Sequence, residues 1–324
     1  SMVDEELKTI GPIDPSLLMQ IDGMYDESPP VLETVKPNGH TPSKEFIYWK
    51  STNTTPQKQK GYRLVYVTVP QGDLEGHQFF DLANIVREFT GGSARTTLEQ
   101  SLALRWVPET RLHDLWLALN DIGLGAPDAH SISDVVSCPG TDSCKLGITS
   151  SMGLGRSIRK NLLSKADLLK DPQVRAMHIK ISGCPNGCGQ HHVANIGFHG
   201  AAMKAPSGEQ IPAYELFLGG NYGGVSVDKT AIGQRIPRRK IPSKQVPRLL
   251  RMMLAYYQEN RHGKEIFNEF VSRVGNEPFE NMIDVCADIP SLNGDSQDVY
   301  TVSYTHLRAH ETEADLVCRL LLEK

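Results

Sequence analysis

No stretch of the chain approaches the ~20 apolar residues of a bilayer-spanning helix. Leu64–Val69 is among the longest such runs, so a membrane helix is not expected. Met2–Lys8 holds Asp4, Glu5 and Glu6 and no apolar core, the reverse of a secretory leader, and the expected setting is the cytoplasm. An excess of one charge is lacking too: 34 basic and 38 acidic residues leave a formal −4, which gives nucleic acid no overall electrostatic reason to bind. Internal repeats and low-complexity tracts are absent. What remains is an ordinary globular composition, 39% hydrophobic and 22% charged over 324 residues, long enough for two domains.

Residues 1–58 are rich in proline, poor in periodic hydrophobicity, and read as the irregular remnant of a preceding domain or linker. The pattern changes at Gly61. Tyr62–Val69 is β-branched and aromatic and ends at the turn Pro70-Gln71-Gly72-Asp73. Phe79, Leu82, Val86 and Phe89 then recur at helical spacing up to Gly91-Gly92. Ala94–Val107 suits one or two strands, and Leu112, Leu115, Leu119 and Ile122 mark another helix ended by Gly123. This β-α-β-β-α order predicts an α+β unit of ferredoxin-like type over residues 59–127. An α/β domain is expected over 128–300, with helices at Ser151–Leu168, Gln245–Tyr257 and Lys264–Val274 and strands at Val174–Ile181, Val193–Phe198 and Tyr214–Leu218.

Cysteine is scarce, with six in all, and unevenly placed. Cys138-x5-Cys144 and Cys184-x3-Cys188 form two tight pairs, while Cys286 and Cys318 stand alone. Clustered thiols in a reducing compartment read first as metal ligands. The loops Cys138-Pro139-Gly140 and Gly183-Cys184-Pro185-Asn186-Gly187-Cys188-Gly189 carry glycines that let backbone N–H groups approach sulfur, as a bulky anionic cluster requires. An iron–sulfur cluster, structural zinc, disulfides and unlinked core thiols all remain open on these residues. The x5 gap counts against zinc, whose paired cysteines are usually two to four residues apart.

The two cysteine pairs, with Gly-Cys-Pro-Asn-Gly-Cys-Gly around the second, resemble the signature of the sirohaem-containing nitrite and sulfite reductases. Arg95-x-Thr97-x-x-Gln100-Ser101 is similar to that family's sirohaem-region motif, and Leu218-Gly219-Gly220-Asn221 to its later Gly-Gly segment. The resemblance runs from about Trp49 to Gly275. It implies that Cys138, Cys144, Cys184 and Cys188 ligate a [4Fe–4S] cluster and that Cys188 is also axial to the sirohaem iron. By the same resemblance Arg95, Thr97, Gln100, Asn186, Gly219, Gly220 and Asn221 would contact cofactor. Sirohaem is a polycarboxylate, so Arg235 and Arg238, in a segment with no acidic residue between Asp228 and Glu259, are added as partners for it. His191 and His192 are candidate proton donors, since imidazole titrates near neutrality. The implied reaction is six-electron reduction of nitrite to ammonia or sulfite to sulfide, with ferredoxin or another reduced carrier as donor. Gln190, where sulfite-type members have Arg, favours nitrite. A non-catalytic [4Fe–4S] electron-transfer or sensing protein and a zinc-stabilised module are the rivals.

Family members have two homologous halves, and only one repeat with its cluster domain is recognisable here. The expectation is therefore a C-terminal fragment, inactive without the missing N-terminal half. Residues 302–324 resemble the translation of a sequencing-library adapter and are expected to be a non-native tail. A genuine helix is the alternative, given the spacing of Leu316, Leu320 and Leu321.

Overall fold

A computed structural model describes residues 42–206, 208–223 and 230–289. The expected tail at 302–324, with Cys318, lies outside the described residues. The described residues form two compact units: those in 42–67, 74–96 and 102–127 make the first, and those in 68–73, 97–101 and 128–289 the second. Among the described residues no helix is long and apolar enough to cross a membrane.

The first unit begins inside the stretch expected to be irregular. Helix α1, Lys44–Asn53, forms because the Ser43 hydroxyl accepts from Phe46 N–H at its start and Phe46 and Trp49 are buried. Strands β1 (Thr54–Pro56), β2 (Tyr62–Val67), β3 (Ala94–Thr96) and β4 (Leu102–Pro108) make an antiparallel sheet in the order β1-β2-β4-β3. Helices α2 (Gly76–Thr90) and α3 (Leu112–Asp121) bury Leu82, Ile85, Val86, Phe89, Leu112, Leu115 and Leu119 in one core with Val65, Val67, Leu104 and Val107. Phe79, expected on the buried stripe, is 64% exposed, and Ile85 occupies the core instead. Gly91, in the left-handed region at φ 75°, closes α2 with its N–H on Val86 O.

The second unit contains β5 (Val136–Ser137), helices α4 (Ser151–Leu163), α5 (Ala166–Lys170) and α6 (Pro172–Arg175), and strands β6 (Ile179–Ser182), β7 (Ile196–Lys204) and β8 (Gln210–Leu218). Then come β9 (Gln234–Arg235), β10 (Ile241–Pro242), and helices α7 (Val246–Asn260), α8 (Phe267–Val274) and α9 (Glu277–Ala287). The sheet runs β10-β8-β7-β6-β5, with β5, β6 and β7 mutually parallel, β7 antiparallel to β8, and β9 paired to β8.

Two expectations need correction. The helix expected to reach Leu168 stops at Leu163 and restarts at Ala166. The strand expected from Val174 begins only at Ile179, because Asp171 caps a short turn whose first residue is Pro172 and whose Gln173 N–H it accepts. Helix α9, absent from the sequence reading, buries Phe279, Ile283 and Cys286.

Alternation along the central strands gives this sheet two unlike faces. Ile179, Ile181, Ile196, Phe198, Tyr214, Leu216 and Leu218 join the apolar core with α4, α7, α8 and α9. Lys180, Ser182, His199, Glu215 and Phe217 occupy the intervening positions and therefore the opposite face.

Candidate metal centre

The two cysteine loops leave the same end of the sheet. β5 runs into Cys138 and the parallel β6 into Gly183-Cys184, with Ser137 in register with Ile181. Cys138 N–H donates to Ile181 O at 3.1 Å, and one step on, Gly183 N–H donates to Cys138 Sγ at 3.1 Å. Gly183 O accepts from Ile148 and Thr149 N–H at 2.9 and 3.1 Å, and Thr149 O accepts from Thr141 N–H at 3.1 Å. The loops are thus laced backbone to backbone. A Cβ on Gly183 would stand 2.6 Å from Gly140 Cα, and one on Gly147 would stand 2.6 Å from Gly140 C, so no side chain fits between them.

All four paired cysteines are free thiols, with Cys138 and Cys184 buried, Cys144 half-buried and Cys188 exposed. The disulfide alternative is therefore not realised among the described cysteines. Burial pushes the Cys184 thiol up, the Asn186 backbone N–H draws it down, and the charges of Cys138, Cys144 and Cys188 push it further up. Cys184 therefore lies within electrostatic reach of the other three. Among the described residues no three His, Cys, Asp or Glu side chains gather as closely as a single metal ion demands. The start of α4 faces Cys138: Ser151 Oγ donates to Cys138 O at 2.7 Å and lies 3.4 Å from its Sγ. Ser150 caps the helix by accepting from Gly153 N–H and donates to Asp142.

The motif residues take various places. Arg95 is an exposed residue of β3. Thr97 Oγ1 accepts from the N–H groups of Glu99 and Ser101, closing a tight loop. Gln100, at φ 59°, spends its amide on the backbone beside the first cysteine: Nε2 donates to Ser137 O at 2.8 Å and Oε1 accepts from Ser137 N–H at 3.0 Å. Gly219 and Gly220 carbonyls accept from Asn268 Nδ2, and a Cβ on Gly220 would stand 2.7 Å from Ala194 O. Asn221 exchanges backbone hydrogen bonds with Ala231. Asn186 is exposed between the second pair of cysteines. Arg235 is exposed and paired with Glu215 at 2.9 Å, and Arg238 is exposed in a left-handed conformation.

His191 and His192 form a turn laid on the polar face of the sheet, their rings 3.9 Å apart and both against Phe217. His191 is fully buried, and burial, helped by His192 and His199, holds its pKa down to about 3.

A buried polar cluster escaped the sequence reading. Lys180, 1% exposed, donates to Gln190 Oε1 at 2.8 Å and lies 4.9 Å over the Tyr222 ring. Tyr222 Oη donates to Glu99 Oε1 at 2.7 Å, and His130 Nδ1 is 3.7 Å from the other oxygen. Burial alone would raise the Glu99 carboxyl, but His130 and Tyr222 outweigh it and hold the group far below the usual carboxylate range. The signal available was the alternation Ile179-Lys180-Ile181-Ser182, which puts a lysine on the face of an otherwise apolar strand.

A ferredoxin-like unit followed by an α/β unit, with four thiols on glycine-lined loops, is the architecture to set beside known proteins. The family model for the nitrite and sulphite reductase 4Fe-4S domain matches residues 128–288, and that for the nitrite/sulfite reductase ferredoxin-like half domain matches residues 55–122. The chain belongs to the nitrite and sulfite reductase family. It is 32% identical over 183 residues to the ferredoxin–nitrite reductase of Synechococcus elongatus, covering 55% of this chain and 34% of that protein. It is 24% identical over 221 residues to sulfite reductase [ferredoxin] 1 of Mycolicibacterium paratuberculosis, covering 68% and 39%. The chain thus spans about a third of the length of the curated relatives it matches. Its fold is similar to that of Mycobacterium tuberculosis NirA, with a TM-score of 0.59 at 22% identity over 76% of this chain and 43% of that one.

Proposed function

We propose that this chain is the cluster-bearing half of a sirohaem-dependent reductase that converts nitrite to ammonia or sulfite to sulfide with six electrons, nitrite being the favoured substrate. Ferredoxin or a similar reduced carrier is the proposed donor, and the other half of the enzyme the proposed partner. The observation that carries the reading is the pair of laced loops, with Cys184 in electrostatic reach of three other thiols. These residues fit a [4Fe–4S] cluster: the ligands are soft, backbone N–H reaches sulfur, and glycines leave no Cβ in the way.

A sirohaem coupled to the cluster through the Cys188 thiolate would supply the electron transfer and the anion-binding iron. The chain's own residues do the rest. Gly183 N–H donates to the Cys138 sulfur, and Ser151 at the start of α4 donates to the Cys138 carbonyl. Gln100 anchors the strand that presents it. Arg235 and Arg238 would hold sirohaem carboxylates. Gln190, held by Lys180, supports nitrite over sulfite.

Anaerobic addition of iron and sulfide to the purified chain tests the cluster. About four of each per chain are expected, with Cys→Ser at 138, 144, 184 or 188 each reducing the yield. Uptake of zinc alone would overturn the reading. Co-expression with the first half of a relative should add haem absorption and nitrite-dependent oxidation of the donor. A cluster without sirohaem would favour the electron-transfer rival.

A further inference from the structure

Among the buried polar atoms without a partner in the described residues is His191 Nε2, and its proton can be placed. His191 Nδ1 lies 2.8 Å from Ser182 Oγ, which already accepts from Gly189 N–H at 3.1 Å. If the serine donates to Nδ1, the imidazole carries its proton on Nε2 and one group is left unmet. If instead Nδ1–H donates to the serine, both the serine hydroxyl proton and the Nε2 lone pair go unmet. Leaving a buried polar group unpaired costs about 1–3 kcal/mol, so the first arrangement wins. Nε2 then bears a buried hydrogen without a partner.

The His191 ring lies beside the second cysteine pair. A Cβ on Gly187, the residue before Cys188, would stand 3.9 Å from His191 Cε1, the carbon between the two ring nitrogens. The rings of His192 and Phe217, at 3.9 and 4.6 Å, offer only weak π acceptors. The acceptor that suits a neutral N–H at this edge is a soft anion.

We infer that His191 Nε2–H donates to an anionic sulfur of the centre, a cysteine thiolate or a cluster sulfide, and thereby sets the centre's reduction potential; the inference rests on the function proposed above. A donor to sulfur stabilises the more negative, reduced state. The potential is therefore higher with His191 than without it. His191 is a positioning and tuning residue, fixed in tautomer by Ser182, and takes no part as an acid.

Two measurements test this. In the metal-free, 15N-labelled chain, long-range 15N–1H spectra should give His191 as the Nε2–H tautomer; the Nδ1–H form would overturn the inference. In the reconstituted protein, His191→Phe should lower the midpoint potential and diminish the deuterium-exchange shift of the iron–sulfur Raman bands, and His191→Gln should restore part of both. If His191→Phe does not fold, Ser182→Ala keeps the ring and frees its tautomer, and should lower the potential in the same direction. An assembled cluster with unchanged potential and Raman bands overturns the inference alone. Failure of the wild-type chain to assemble a cluster overturns the functional reading and this inference with it.

Discussion

Replacing Gln100 by alanine should unfasten the strand that carries the first cysteine. Its amide makes two hydrogen bonds to Ser137, at 2.8 and 3.0 Å, on the edge of β5 turned away from β6. Gln100 thereby caps an edge that would otherwise present unpaired backbone groups. Each stranded group costs about 1–3 kcal/mol when buried, and because Gln100 is itself half-buried the pair is worth roughly 2–4 kcal/mol. At about 2–4 °C per kcal/mol for a unit of this size, the melting temperature should fall by roughly 5–15 °C. Urea and thermal melts followed by circular dichroism measure it directly. Gln100→Glu sharpens the test, because a carboxylate still accepts from Ser137 N–H but sets an oxygen against Ser137 O. That variant should be as unstable as alanine at neutral pH and recover partly when acid protonates it. If Gln100→Ala stays within about 0.5 kcal/mol of wild type, as an ordinary surface change does, the anchoring argument fails and the side chain is free for cofactor.

Gly183→Ala should abolish cluster uptake, since its Cβ would press on Gly140 Cα and Thr149 O; a variant that assembles iron and sulfide normally would refute the close packing of the loops. The pH profile should change on removing Asp134, whose carboxyl burial holds up at about 6, above its unfolded value. That group adds stability as pH falls from about 6 to about 4. His178, held down to about 4 by burial, removes stability over about 6.5 to 4, and each effect is worth at most roughly 3 kcal/mol. Asp134 opposes this loss, to which His191, held down to about 3, adds, so Asp134→Asn should steepen the loss of urea resistance between pH 7 and pH 5, and parallel profiles for variant and wild type would refute this account.

Local chemistry made much of this legible. Glycines and prolines marked the cysteine loops, and β-branched and aromatic residues marked Tyr62–Val67. Helix α1 stayed hidden because only Phe46 and Trp49 are buried apolar residues in it and its cap is a single serine. Phe79 was misplaced because spacing alone cannot tell which of two neighbouring stripes faces the sheet; Ile85 is the residue that faces it. At the site, the four cysteines announced themselves by spacing. Gln100 and His191 could be named but not understood, since what each does depends on a partner, Ser137 or Ser182, supplied by another strand. Lys180 and Glu99 could not be joined at all, their link running through Tyr222 far along the chain.

The parallel pairing of β5 with β6 has a consequence for how such a centre can vary. Each cysteine loop is placed by the end of its own strand, and the strands are placed by their ladder, Val136 to Lys180 and Ser137 to Ile181. Beyond Ser151, the excursion through α4, α5 and α6 that leads to β6 therefore sets none of the ligand spacing. Lengthening or trimming that excursion at Ser164-Lys165, where the helix already breaks, should leave the centre in place. A slip of a single residue in β6 would displace Cys184 by about 3.3 Å and turn Ile181 to the polar face. The site is tolerant of insertions between its ligand pairs and intolerant of a change in register of one.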